Sequence, residues 1–246
     1  MLHSILRGLG RLVMPLLFKP GIRYRALMSL SKNLPPDADE DILMKAMSFA
    51  DHSRLDGDYL EFGVWKGRSF AKAYHIHKYL FKRKGLLKTT RFYAFDSFEG
   101  LPELKNKIDA ETGEFKKGDY AFSLENFKRH LASKKINLRD VEIVPGWYED
   151  VLNDDTKKRL PVRHAAIIWV DCDLYESTVP VLEFITDYVV DGTIIIFDDW
   201  FAFRGDPDRG EQRAFREWLA KHLEITATEW QKTNWRANSF ILHKRS

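Results

Sequence analysis

The fold turns on "GDYLEFGVWKGRSF", residues 57–70. Its first half, "DYLEFGV" (58–64), is a short apolar run rich in β-formers; the second turns through Gly63 and Gly67 into a segment of helical length. A buried strand that hands over to a helix through glycine is the start of a strand–helix–strand unit. Glu61 stands at the mouth of that turn, one carboxylate in mostly apolar company.

Outward from this stretch the same pattern repeats. "RFYAFDS" (91–97), "VEIVPG" (141–146), "AAIIWVDCDL" (165–174) and "GTIIIFDDW" (192–200) are further strand signals, each with Gly, Asp or Ser near its end. Segments of helical length separate them: "GRSFAKAYHIHKYLFKRK" (67–84), "SLENFKRHLASKK" (123–135), "YEDVLNDDTKKRL" (148–160) and "STVPVLEFITDYV" (177–189). In the last of these Pro180 is expected in the opening turn, where a missing N–H costs least. A helix at "GEQRAFREWLAKH" (210–222) then precedes "LEITATEWQ" (223–231) and "ANSFILHK" (237–244), close enough to pair as a hairpin. The sum is an open α/β sheet of seven strands, mostly parallel, covered on both faces, with a terminal antiparallel pair.

Bulk composition bounds the rest. The chain has 246 residues with 44% hydrophobic content, enough for one sizeable core. Residues 1–55 read as a helical N-terminal extension, broken at "NLPPDADED" (33–41), where Pro35 and Pro36 stop one segment and Asp37 or Asp39 caps the next. Residues 56–246 form the main domain. A net charge of +3 is too balanced to argue for nucleic acid as a partner. The single cysteine, Cys172, excludes an internal disulfide framework and fits a reducing compartment, so a cytoplasmic protein is expected. No run of 18 apolar residues supports a spanning helix. The basic, interrupted segment "MLHSILRGLGRLVMPLLFKPGIRYRAL" (1–27) reads as an arm packed on its own domain or on a second subunit of a homo-oligomer, in preference to a membrane-surface contact.

In open α/β sheets ligands sit beyond the carboxyl ends of the strands. Here those ends are acidic: Glu61 on the first strand, Asp96 with Ser97 on the second, Asp171 and Asp173 on the fourth, Asp198 and Asp199 on the fifth. One or two such residues would be helix caps. Their convergence on one crevice is costly unless a cation or polar ligand shares them. Gly63 and Gly67 let a ligand approach the backbone, although the spacing is not G-x-G-x-x-G and no P-loop is present. Asp96 either accepts hydrogen bonds from a ribose diol or caps the turn-rich "DSFEGLP" (96–102). The paired aspartates offer hard oxygen ligands suited to Mg2+ or Mn2+. Cys172 points the opposite way along the strand and reads as a small buried side chain.

Five blocks now carry a resemblance. "DYLEFGVWKGRS" (58–69), "YAFDSFEGLPE" (93–103), "VPGWYEDVL" (144–152), "VDCDLYESTVPVLE" (170–183) and "GTIIIFDDW" (192–200) resemble, in order and spacing, the successive motifs of the TylF/MycF (macrocin O-methyltransferase-like) family of S-adenosylmethionine-dependent enzymes. The resemblance implies a Rossmann-like class I methyltransferase fold, Mg2+ dependence, and methyl transfer to a hydroxyl, in characterised members a sugar hydroxyl on a natural product. Carried over, Glu61, Phe62, Gly63, Val64 and Trp65 would hold the methionine part of the cofactor, with Glu61 near its charged amino group. Asp96, Ser97 and Phe98 would hold the ribose and neighbouring adenosine, and Gly146 and Trp147 would lie against the adenine. Asp171, Asp198 and Asp199 match the metal-binding aspartates, and Asp171 also the general base. Asp173 is either a further acid of the site or a structural residue in the turn before Tyr175.

The expectation is an Mg2+-dependent O-methyltransferase acting on a small hydroxylated or glycosylated acceptor. Its rivals are a nucleotide-dependent enzyme of another class using the same crevice, and a non-catalytic protein that keeps the fold to engage a partner. Phe201, Phe203 and Arg204 form either an aromatic lid over the acceptor or ordinary core. His75 and His77, two apart on a helix, face different ways and are not a metal pair. The basic run "HKYLFKRKGLLK" (77–88) reads as a solvated helix end.

Overall fold

Every run read as a strand is one in the computed structural model, which describes residues 38–81, 89–105, 110 and 112–245. The strands are β1 (Asp58–Phe62), β2 (Phe92–Asp96), β3 (Val141–Pro145), β4 (Ala165–Val170), β5 (Val189–Phe197), β6 (Ile225–Lys232) and β7 (Asn238–Lys244). They form one sheet in the order β3-β2-β1-β4-β5-β7-β6. β1 to β5 pair in parallel, and β7 runs antiparallel to both β5 and β6.

The period of two along the strands sorts side chains onto two apolar layers. Tyr59 on β1, Phe92 and Ala94 on β2, Trp169 on β4, and Ile194 and Ile196 on β5 face α1 (Ala38–His52), α2 (Arg68–Ile76) and α3 (Leu124–Ser133), whose Ile42, Phe70 and Phe127 complete that layer. Leu60, Phe62, Phe95, Val170 and Phe197 face the other way, onto α6 (Tyr175–Ile185) and α7 (Gly210–Lys221), with Phe184 and Phe215 at the contact. Each of these large side chains contributes about 1.5–3 kcal/mol by leaving water. Glu61 belongs by register to the first layer, which is why it is fully buried.

Two short helices, α4 (Tyr148–Val151) and α5 (Asp154–Arg159), follow β3. Side-chain caps start α3 and α5: the Ser123 hydroxyl accepts the Asn126 amide and Asn153 Oδ1 accepts that of Thr156. α2 begins instead at Gly67 in the left-handed region, with no side-chain cap, and ends in a π-helical turn over His77–Phe81.

Three boundaries differ from expectation for local reasons. β4 stops at Val170, and the chain turns away from the sheet by Asp173, whose φ of 60° lies outside the strand region. α6 therefore begins at Tyr175, and Pro180 sits in its second turn rather than its first. β5 begins at Val189, before Gly192. The register slips there from Ala165↔Val189 to Ile167↔Ile194, and the Thr193 hydroxyl bridges the slip by accepting the Val190 amide and donating to the Ala165 carbonyl. The N-terminal arm, the break at Pro35 and Pro36, the cap at Asp37 and residues 82–88 of the basic run lie outside the described residues. Among those described, no helix is long and apolar enough to cross a membrane.

Candidate active site

From β1 the chain runs outward through β2 and β3, then returns to add β4 on the other side of β1. The carboxyl ends of β1 and β4 are therefore where connections diverge and leave a crevice. A cleft of about 720 Å³ opens at that place. Gly63, Val64, Trp65, Asp96, Ser97, Gly146, Trp147, Asp171 and Asp198 all border it, whereas Glu61, Phe62, Phe98 and Asp199 stand behind its wall. Phe62 is core, stacked on Phe95 at 4.4 Å between ring centres.

On the β1 side, the turn is held by Asp96. Its Oδ2 accepts the amides of Val64 and Trp65, each at 2.9 Å, and its Oδ1 accepts that of Phe98 at 2.7 Å. A carboxylate has about four acceptor positions, so this capping role leaves room for one further donor. Burial raises the Asp96 pKa, and the three N–H groups oppose the rise. Trp65, which borders the cleft, and Phe98, behind its wall in the turn after β2, both have positive φ, 41° and 59°, so Asp96 holds two strained turns. Gly63 has φ of 84°, and a Cβ there would sit 1.8 Å from the Asp171 carbonyl oxygen. Glycine at 63 is thus demanded by contact between the ends of β1 and β4.

Glu61 is sealed behind this turn. The Tyr59 hydroxyl donates to Oε2 at 2.5 Å and the Ser69 hydroxyl to Oε1 at 2.6 Å. Burial pushes its pKa up to about 8, against the lowering effect of those two donors. Ser69 borders the cleft, so Glu61 reaches it through that hydroxyl.

The β4 and β5 ends supply the opposite side. Asp171, Asp173 and Asp199 bring one carboxylate oxygen each within 4.8 Å of one another. Asp199 is 1% exposed, and neither of its oxygens accepts a hydrogen bond from an N–H or hydroxyl group; its near neighbours are the carboxyl groups of Asp171 and Asp173. Arg236, from the turn between β6 and β7, donates from Nη2 to Asp198 Oδ2 at 2.8 Å. Its Nη1 stands 2.8 Å from Asp199 Oδ1, a charge contact without hydrogen-bond alignment. Burial first, then the neighbouring aspartates, drives the pKa of Asp171 and Asp173 far upward. Asp199 rises to about 6, burial outweighing the guanidinium. Of the three aspartates matched to a metal, Asp171 and Asp199 are in the close group; Asp198 is paired with Arg236, and Asp173 stands in its place. Cys172 lies in the apolar layer with its Sγ 3.8 Å from the Phe62 carbonyl, apart from the carboxylates.

Glu211, in the first turn of α7, fastens this side together. Its Oε1 accepts the Cys172 amide at 3.4 Å and its Oε2 the Asp199 amide at 3.0 Å, tying both acid-bearing turns to one buried carboxyl group. Burial raises its pKa, followed by the charge of Asp199. Sequence reasoning missed Glu211 and Arg236, which lie on a helix and a hairpin turn with no motif around them. Tyr59 and Ser69 carried a readable signal, two and eight residues from Glu61.

Phe203 is no acceptor lid. It is buried with Leu101, Phe115, Leu174 and Ala202, 5.4 Å from the Phe115 ring, and its amide donates to Glu114. The exposed aromatics at the cleft are Trp65, Tyr120 and Trp235, the first two in edge contact at 5.5 Å. His75 places Nε2 2.9 Å from the Lys134 carbonyl, away from any acid cluster.

Comparisons with known proteins agree with this architecture. A model of the macrocin O-methyltransferase (TylF) family matches residues 40–237. An 8-demethyl-8-(2,3-dimethoxy-alpha-L-rhamnosyl)-tetracenomycin-C 4'-O-methyltransferase of Streptomyces olivaceus is 32% identical over 152 residues, 59% of this chain and 54% of the relative. The mycinamicin III 3''-O-methyltransferase of Micromonospora griseorubida is 27% identical over 158 residues, 59% of this chain and 56% of the relative. The chain thus spans little more than half the length of these two relatives in the match. Among solved structures, the O-methyltransferase NovP superposes with a TM-score of 0.70 at 22% identity, covering 85% of this chain and 80% of that one. The calicheamicin methyltransferase CalS11 gives 0.60 at 20% identity, covering 88% and 90%. These likenesses establish a class I methyltransferase fold, and with a family match running through both sides of the cleft, the chain belongs to the macrocin O-methyltransferase (TylF) family.

Proposed function

We propose that this chain transfers a methyl group from S-adenosylmethionine to a hydroxyl, a sugar hydroxyl in the first instance, of a small glycosylated or polyhydroxylated acceptor, with Mg2+ dependence. One observation carries the reading: a single cleft joins the strained glycine turn after β1 to the group of buried acids after β4 and β5. Donor and acceptor would occupy its two sides. The names of the relatives, which are O-methyltransferases of sugar-bearing natural products, support the acceptor class.

S-adenosylmethionine supplies an electrophilic methyl on a sulfonium, so the task left to the protein is chiefly to align two reactants at near contact. Asp96 holds the turn formed by Val64 and Trp65 in the shape that receives the donor, and Trp147 offers an aromatic wall to its base. Glu61, reaching the cleft through Ser69, fixes that hydroxyl toward the cationic end of the donor, and it adds negative charge there only above its pKa of about 8. Asp171 borders the cleft and would accept the acceptor's hydroxyl proton as the new C–O bond forms. Asp171, Asp173 and Asp199 fit a hard divalent cation, since Asp173 and Asp199 are buried, Asp171 is half-buried at the cleft, the donors are all oxygen, and Asp199 accepts from no N–H or hydroxyl group. Mg2+ bound there would supply Lewis acidity that lowers the pKa of the hydroxyl.

Calorimetric titration with S-adenosylmethionine, followed by transfer of labelled methyl groups to a panel of glycosides with and without a chelator, tests the reading. Micromolar cofactor binding and chelator-sensitive transfer are expected. Binding of NAD or a nucleotide without any binding of S-adenosylmethionine would overturn it.

A further inference from the structure

A second cavity, of about 290 Å³, lies at the end of the sheet away from the cleft. It opens where β2 and β3 begin: Phe92 is the first residue of β2, and Arg139 and Asp140 belong to the short turn just before β3. The five residues of β2 separate it by about 13 Å from the strand end that carries Asp96. Its base is aromatic. His77, 3% exposed, and Tyr74 set their rings 5.2 and 5.4 Å from that of Phe92. The remaining lining is basic: Lys78, Arg91 and Arg139 border the space, against one carboxylate, Asp140, whose Oδ2 accepts the Tyr74 hydroxyl at 2.8 Å.

Lys78 lies in the π-helical turn His77–Phe81, a winding that recurs at functional sites, with its Nζ 5.3 Å over the Tyr74 ring. Arg139 is exposed on a turn capped by the Asn137 side chain. Among the described residues, neither has a carboxylate within ion-pair distance, whereas Arg91 shares Glu142 at 3.1 Å. Like charges around one concave space repel one another, and an anion bound between them removes that repulsion. Thr89 and Thr90 also border the cavity, but their hydroxyls already donate to Asp56 Oδ1 and to the Gly57 carbonyl.

We propose that this cavity is a binding site for a phosphate group, separate from the cleft, in which Lys78 and Arg139 hold the anion and Arg91 supplies further N–H donors. A guanidinium presents paired, planar donors that match phosphate oxygens, and an ammonium adds a compact charge. The basic run that starts at His77 is then more than a solvated helix end, because its first two residues line a cavity. A soluble phosphate ester and a lipid headgroup present the same oxygens, so either can carry the group.

The test is calorimetric titration of the full chain with pyrophosphate at low salt, where such contacts are least screened. Lys78→Met, which keeps an apolar stem over Tyr74, and Arg139→Gln should each weaken binding about fivefold, and the double variant about twenty-five-fold. Lys128→Ala removes an exposed charge on α3 that does not border the cavity, and should stay within about twofold of wild type. Absence of binding to wild type, full retention in the double variant, or an equal loss in Lys128→Ala overturns the assignment. Sedimentation with phosphatidylcholine vesicles, with and without phosphatidylinositol 4-phosphate, separates the two carriers. Binding to the phosphoinositide vesicles that the double variant loses assigns the headgroup; pyrophosphate binding without vesicle binding assigns a soluble ester. Lys78 is half-buried and Arg139 exposed, so both variants are expected to fold; should the double variant fail to, the two single variants decide. None of these outcomes bears on the function proposed for the cleft.

Discussion

Tyr59→Phe is expected to cost stability in a pH-dependent way that reports directly on the buried Glu61. The substitution removes one oxygen and leaves the ring in place, 1% exposed and packed on Phe70 and Phe92. What is lost is the hydroxyl that donates to Glu61 Oε2. Below the Glu61 pKa, which lies at about 8, the carboxyl is neutral and the lost bond is an ordinary one, costing about 0.5–1.5 kcal/mol. Above it the partner is a buried carboxylate, and the loss rises to about 1.5–3 kcal/mol. Urea denaturation of wild type and variant at about pH 5.5 and about pH 9 should therefore show a gap that widens by roughly 1 kcal/mol with pH. For a chain of this length that is about 2–4 °C in the melting midpoint. In a Glu61→Gln background the widening should vanish. An equal gap at both pH values in the wild-type background would refute the argument, because it would mean that Glu61 does not change charge in that range.

Gly63→Ala should destabilise the protein by about 3 kcal/mol or more, since a Cβ meets the Asp171 carbonyl at a positive φ; a melting midpoint equal to wild type would contradict the contact. Glu211→Gln can still accept one of its two amides and should cost about 1–3 kcal/mol, with Glu211→Leu, which accepts neither, costing more. Equal denaturation midpoints for the two variants would show that the amide bonds are not what Glu211 contributes. Glu61 and Asp199 both hold their protons more tightly folded than unfolded, with pKa values of about 8 and about 6 against ordinary values of 4.5 and 3.8. Their contribution is complete below the unfolded values and is lost as pH rises through the folded ones. Thermal stability of the metal-free protein should accordingly fall between about pH 5 and about pH 8, and a rise over that interval would reverse the reasoning.

The sheet was legible because apolar runs, glycine turns and helical segments alternate without ambiguity from Asp58 onward. Strand-end acids were legible for the same reason, as their positions follow from where each run stops. Partnerships were not. That Asp198 belongs to Arg236, 38 positions away, depends on a hairpin turn folding back over the end of β5. That Glu211 binds two strand-end amides depends on the angle at which α7 meets the sheet. Asp173 was left open because a left-handed residue after a strand has no sequence mark when it is not glycine. Gly192 misled in the other direction, reading as the start of β5 when it marks a bulge inside it.

The direct backbone contact between Gly63 and Asp171 separates two things that enzymes often entangle. The distance between the turn after β1 and the acids after β4 is set by peptide against peptide, with no rotatable side chain in between. Segments that sprout beyond the strand ends can be lengthened, shortened or exchanged without altering that spacing. Under the proposed function, acceptors can diversify on such a scaffold while the reacting geometry stays a fixed inheritance.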